Sequence, residues 1–562
     1  MNKNLTATQN DYAVFLPATS GFYATFIGKQ RYRNYVDPAR LPTSFINNVE
    51  SLNYLEPQKG LFHYNWCLYS AGHANLDLTK NDESEDMFRN RDRSTSWVLG
   101  DSGGFQIGKG VWEGEWRDPN SPEVQAKMAE CIARGVETVP VLDNNGNPIF
   151  NKKGTPKVVK IDRVKEYQSK IDAAHLKRTQ VLAWMDSLMD YGMVLDIPAW
   201  VCRSPEGQAA TGICEYDDAV AATIYNNEYF IKHRNGNCKF LNVLQGEDHG
   251  QADDWYQKMK KFCDTSIYDD KAFNGWAMGG QNMCDVHLIL RRLVALRFDG
   301  FLEQGQHDWM HFLGTSKLEW ACLLTDIQRA VRKYHNPNFT ISFDCASPFL
   351  ATANGQIYIQ TETAPLSKWV YRMVPSADNK KYATDTRLFK DGVIQDKIFK
   401  NFESSPMIDQ VLMKDICIYA PGDLNKVGKE GNTSWDSFSY AIQMGHNVWA
   451  HLNAVQEANR QYDNAVYPSM LVSGLGYPLY FRKIVDEIFS KDSRADSEAV
   501  VEKYHEFFDR IIGTRGNTGK RLMSANPSFS QLFGEEEQTD EEFTEEQIAK
   551  LNQLEEELKN ET

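Results

Sequence analysis

Paired cysteines are missing from this 562-residue chain: its ten cysteines are scattered and include no Cys-x-x-Cys, which argues against a redox dithiol or a four-cysteine zinc ribbon. Long apolar runs are missing too, since no stretch approaches the roughly 18 residues a membrane-spanning helix needs. The first thirty residues lack the apolar core of a secretory signal, and with unpaired thiols this leads us to expect a reducing, cytoplasmic setting and no membrane partner. Positive charge is scarce, with 61 Lys and Arg against 76 Asp and Glu, net -15. Such a balance suits polyanionic partners poorly, yet residues 535–562 alone contribute -10 and leave -5 for the rest. No internal repeat is visible, which sets aside solenoids and propellers.

What is present is ample for a large core, at 42% hydrophobic and 12% aromatic residues. Strand-like runs alternate with helical patterns at Gln125 to Ala133, Lys177 to Met189, Leu288 to Leu296 and Leu318 to Tyr334, and that alternation predicts a parallel α/β architecture. Val141 to Phe150, centred on Asn144-Asn145-Gly146, reads as a hairpin turn between two strands. Two stretches are rich in basic residues, Lys29, Arg31, Arg33 and Arg40, and then Lys368 to Lys400 with eight bases against four aspartates. Either is a phosphate-binding candidate or a solvated face. The tail from Glu535 reads as acidic and largely unstructured, with a short helix from Glu545 to Leu558.

Two aspartates follow short runs of strand formers. Asp101 comes after Ser96-Trp97-Val98-Leu99, and Asp344 ends Phe339 to Phe343. In parallel α/β folds the C-terminal strand ends collect catalytic groups. Val194-Leu195-Asp196, Leu241 to Gln245 with Gly246, and Gly275 to Gly280 repeat that placement. Each is ambiguous alone, because a strand-end aspartate also caps helices and a glycine pair also serves a turn.

Their order along the chain is more specific. Asp101-Ser102-Gly103-Gly104-Phe105-Gln106 resembles the signature of the tRNA-guanine transglycosylases, enzymes that swap guanine for a 7-deazaguanine base in a polynucleotide. Val194 to Pro198, Leu241 to Gly246, Gly275 to Gly280, the weaker His311-Phe312-Leu313-Gly314, and Phe343-Asp344-Cys345 with Pro348 and Asn354-Gly355 follow in the family's order. The resemblance implies a (β/α)8 TIM-type barrel over residues 1–360 with an insertion around 110–180. It further implies barrel completion and a degenerate zinc-like region over 361–465, a helical extension over 466–534, and the acidic tail.

By the same resemblance Asp344 is the nucleophile and Asp101 the general acid/base. Ser102, Gly103, Gly104, Phe105, Asp196, Gln245, Gly246, Gly279, Gly280 and Leu313 then form the base pocket. The chemistry suits paired carboxylates: one stabilises the cationic sugar and forms an ester at C1', while the other moves the proton of the leaving and arriving bases.

Two departures bear on the polymer. The tRNA enzymes carry arginines after the nucleophile, where this chain has Phe349-Leu350-Ala351-Thr352-Ala353. Their three zinc cysteines and His-Asn have Cys417 and His446-Asn447 as counterparts, Asp415 stands as a candidate carboxylate ligand in place of the first cysteine, and Ala420 cannot serve as the last, which reads as a degenerate site. No cofactor is therefore expected, Cys417 and His446 being weak zinc candidates. Both departures resemble the DNA-modifying, DpdA-type branch found in bacteria and their phages. That branch exchanges guanine in DNA for preQ0, preQ1 or a derivative, often against restriction; if phage-encoded, the setting is the host cytoplasm. The competing readings are a tRNA-guanine transglycosylase, a non-catalytic nucleic-acid-binding partner subunit, and a glycoside hydrolase with paired carboxylates.

Overall fold

Eight short runs of mostly buried residues pair into one parallel sheet: β1 (Val14–Pro17), β2 (Trp66–Ser70), β3 (Trp97–Asp101), β4 (Tyr191–Met193), β5 (Lys239–Leu244), β6 (Gly275–Met278), β7 (Trp309–Phe312) and β8 (Thr340–Cys345). They are seen in a computed structural model that describes residues 11–33, 36–80, 85–143, 146–421, 432–473, 479–511, 549–550 and 553. Each strand from β2 to β8 pairs with the next, and β8 pairs with β1 in the register Leu16 to Asp344. A parallel bridge from Ala18 to Leu68, with Thr19 N 2.9 Å from Leu68 O, brings β1 back to β2. The sheet thus curls into a nearly closed (β/α)8 barrel, as expected from the sequence. The strands read as continuous apolar runs because both faces are covered.

Aromatic residues at the strand starts close the lower end. Trp309 of β7 stacks on Tyr191 of β4 at 4.8 Å and meets Trp66 of β2 at 5.3 Å, and Trp66 in turn stacks on Trp97 of β3. With that end plugged, the interior opens at the C-terminal strand ends, where barrel chemistry is found.

The helices around the barrel are α1 (Gly21–Arg33), α2 (Gly104–Gly108), α3 (Pro122–Arg134), α4 (Arg163–Leu188), α5 (Tyr216–His233), α6 (His249–Met259), α7 (Val286–Phe298), α8 (Leu318–Tyr334), α9 (Ser347–Ala353) and α10 (Ser437–Asp463). Side-chain caps set several starts: Ser121, Asp162, Asp248, Asp285 and Asp436 each accept from an amide of the first turn. The helix read from Lys177 begins 14 residues earlier, at Arg163. Its first turns are polar and lie outside the barrel core, so no core-facing apolar pattern marks them in the sequence.

All eight strands fall between Val14 and Cys345, so residues 361–465 supply the last barrel helix rather than a strand. That helix, α10, packs against α1, α8 and α9. Beyond it, α11 (Phe481–Phe489) lies on α8 and α12 (Arg494–Lys503) on α7. Arg482 fastens this extension, its Nε 2.7 Å from the buried Asp326 Oδ1. Nearly all of the acidic tail, and most of the helix read there, lies outside the described residues.

Between α3 and α4 an antiparallel hairpin pairs Val136–Pro140 with Val158–Asp162. The turn expected at Asn144-Asn145-Gly146 falls on Asn144 and Asn145, which lie outside the described residues; beside them Asp143 N donates to Asn147 O (2.8 Å). Among the described residues no helix is long and apolar enough to cross a membrane.

Candidate active site

Asp101 is the last residue of β3, and Asp344 the penultimate residue of β8. The Ser70 hydroxyl, level with Asp101 in the parallel register, donates to Asp101 Oδ2 at 2.6 Å. Part of Asp101 remains open, yet protein surrounds it closely enough that burial pushes its carboxyl up; Ser70 opposes the rise and the charge of Asp344 adds to it. The two carboxyl groups are therefore electrostatic neighbours at one mouth.

Asp344 is held from β7 and the turn beyond it. Its Oδ1 accepts from Gly314 N (2.9 Å) and lies 3.1 Å from His311 Nε2. The other ring nitrogen, Nδ1, lies 2.8 Å from Ser342 Oγ, which accepts from Trp309 Nε1 at 2.9 Å. An ionised carboxylate only accepts, so His311 donates through Nε2 to Asp344, and in the neutral imidazole Nδ1 then accepts from Ser342 Oγ. Sequence reasoning quoted this segment but gave His311 no role. The available signal was strand alternation, which turns Trp309 and His311 to one face of β7.

Asp196 sits three residues beyond β4, in the following loop and not at a strand end. Gln245, just after β5, donates from Nε2 to Asp196 Oδ2 at 2.8 Å. Burial pushes the Asp196 carboxyl up to about 7, with Gln245 opposing and the charge of Asp101 adding. Asp101, Asp196, Gln245 and Asp344 thus share one rim of the barrel.

The glycines pack that rim closely. Gly103 has φ +86°, and a Cβ there would lie 2.5 Å from the Trp112 ring. Gly280 has φ +54°, and a Cβ would lie 2.4 Å from the Gly246 carbonyl. Side chains are excluded at both positions by conformation and by space. A Cβ on Gly104 would meet Asp196 at 3.0 Å. The Gly279 amide, expected to meet the base, donates to Leu244 O (2.8 Å), and a Cβ on Gly279 or Gly280 would lie 2.8 or 3.0 Å from the Gln245 side-chain amide.

Ser102 is buried and Leu313 packs half-buried against the core. Phe105 is 46% exposed, with its ring 5.9 Å from Trp200, an aromatic neighbour that sequence reasoning missed.

The zinc-like residues do not fit a metal. His446 uses both ring nitrogens, Nδ1 with Ser405 Oγ (2.9 Å) and Nε2 with Tyr358 O (2.8 Å), and burial lowers it to about 4. Cys417 Sγ lies 3.2 Å from Asn379 O, and burial raises its thiol. Asn447 accepts from Tyr358 N (3.0 Å), so the His-Asn pair tethers α10 to the strand Gln356–Glu362. Among the described residues no group of three His, Cys, Asp or Glu is arranged to hold a metal ion.

Four members of the basic stretches are paired with carboxylates within the molecule. Arg40 pairs with Asp436 at 3.0 Å, Arg372 with Glu362 at 2.7 Å, and Lys390 with Asp409 at 2.5 Å, while Arg387 pairs with Asp385. No protein-family model matches the chain, and no curated protein matches it.

Proposed function

We propose that this chain is a pentosyltransferase that exchanges guanine in DNA for a 7-deazaguanine base by double displacement. The observation that carries the reading is the meeting of Asp101 and Asp344 at one barrel mouth, where the charge of one contributes to the raised pKa of the other. A carboxyl raised in this way suits the general acid, which leaves Asp344 as the nucleophile.

Among the described residues both hydrogen bonds to the Asp344 side chain fall on Oδ1, so Oδ2 is the oxygen that attacks C1'. As the bond from C1' to guanine breaks, Asp101 gives its proton to the leaving base. The incoming base then returns a proton to Asp101 and displaces the Asp344 ester, restoring configuration at C1' and leaving the strand intact. Asp196 and Gln245 meet the amide edge and exocyclic amine of the base, Gly280 closes behind Gln245, and Phe105 covers a base face.

The nucleotide must first leave its stack. DNA is favoured over tRNA because the segment after Asp344 forms α9, Ser347–Ala353, without an arginine. Labelled preQ0 incubated with duplex DNA or with tRNA tests the choice: label enters DNA on this account, and label entering only tRNA overturns it.

A further inference from the structure

The hairpin Val136–Pro140 with Val158–Asp162 stands well clear of the barrel, and its distance follows from α4. Lys177 of α4 lies 4.7 Å over the Trp112 ring, and Trp112 fills the space against Gly103 at the catalytic mouth. The rim is therefore level with Lys177. The 14 helical residues from Arg163 to Leu176 carry the chain about 20 Å further at 1.5 Å per residue. Of the first ten, only Tyr167 and Ile171 are buried, and they pack with Val124 and Cys131 of α3 in a cluster separate from the barrel core.

The arm is braced at its base. Arg163 Nε lies 2.7 Å from Glu137 Oε2, Arg134 pairs with the same carboxylate, and Tyr167 OH donates to Glu115 Oε2 at 2.8 Å. It is a rigid post and hairpin beside the mouth.

Its surface is unusual in this chain. Between Asn147 and Lys160 there are four lysines and no acid, and Lys152, Lys153, Lys157 and Lys160 are all exposed. Among the described residues none of the four pairs with a carboxylate. The register puts Lys160 on the same face as Val136 and Val158, which are 64% and 56% exposed. Phe150, 58% exposed, lies nearer the tip. A twisted two-stranded ribbon with basic and apolar side chains fits the roughly 12 Å major groove of duplex DNA.

We infer that this hairpin docks on duplex DNA beside the nucleotide presented to the barrel, its four lysines meeting phosphates. The choice of partner rests on the base-exchange reading, whereas the charge, exposure and placement of the hairpin do not. A self-complementary strand pairing with a second copy is the alternative occupant.

The test replaces Lys152, Lys153, Lys157 and Lys160 with serine, and in a second variant with arginine, and follows fluorescence anisotropy of a labelled duplex from 50 to 200 mM salt, with guanine exchange and sedimentation measured in parallel. At about 0.9 per phosphate contact, the serine variant should lose roughly three to four units of log-log salt slope and bind at least tenfold more weakly at 0.1 M salt. The arginine variant should bind like wild type. An unchanged slope and affinity in the serine variant overturns the inference, as does a wild-type dimer that the serine changes dissociate while DNA binding persists. Lysine-dependent duplex binding without guanine exchange would keep the inference and remove the base-exchange reading. Exchange with lysine-independent binding would do the reverse.

Discussion

His311 Nε2 lies 3.1 Å from Asp344 Oδ1, and the opposite ring nitrogen lies 2.8 Å from Ser342 Oγ, so one imidazole on β7 bridges two same-face residues of β8. Strand alternation makes this bridge natural, because residues two apart on β8 share a face and His311 is in register with Ser342. The arrangement fixes the direction in which the carboxylate is held.

His311 is accordingly a positioning residue. A hydrogen bond to a charged group is worth about 1.5–3 kcal/mol. His311→Leu should therefore lower kcat about 10- to 100-fold with little change in DNA affinity, while His311→Gln, which keeps an N–H donor, should recover part of the loss. Single-turnover kinetics with the two variants provides the check, and equal rates for both would remove the hydrogen bond from the account.

Asp101→Asn removes the proton carrier but preserves shape. General acid-base groups contribute about 10²- to 10⁴-fold, so exchange should fall by that order while duplex binding holds. Guanine release measured beside anisotropy separates the two effects.

Asp196 carries a pH signature. Its carboxyl is pushed up to about 7 in the fold from an ordinary 3.8, and a guanine edge offering N–H donors prefers the ionised form. Base affinity should rise up to tenfold per pH unit below about 7 and level off above it, by calorimetry between pH 5.5 and 8.5. The stability sign is opposite. A raised acid favours the fold below its unfolded pKa, and that contribution is lost as pH rises from about 4 through about 7. At pH 8, Asp196→Asn should thus abolish base binding yet relieve up to about 4 kcal/mol, raising Tm.

The parallel α/β layout was legible because buried parallel strands carry continuous apolar runs ending in informative residues, whereas the barrel was implied by the motif resemblance; Asp101 and Asp344 do lie in strand ends, and Gln245 and Gly280 lie one and two residues past theirs. Asp196 was identified but misplaced, since Val194 and Leu195 continue the apolar run past the last paired residue of β4. Ser70 and His311 were missed because each acts through a neighbour that only the register supplies. The basic run after Lys368 looked open in sequence, but Arg372, Arg387 and Lys390 have carboxylate partners that are distant in the chain or reached by a turn. The hairpin lysines carried no periodic signal, and their meaning came from the length of α4.

The most direct measurement is the intact mass of the protein after incubation with guanine-containing duplex DNA and denaturation. The account predicts a covalent protein–DNA adduct in wild type, mapped by peptide mass to Asp344 and absent in Asp344→Ala. An adduct that survives in Asp344→Ala, or one mapped to another residue, would contradict it.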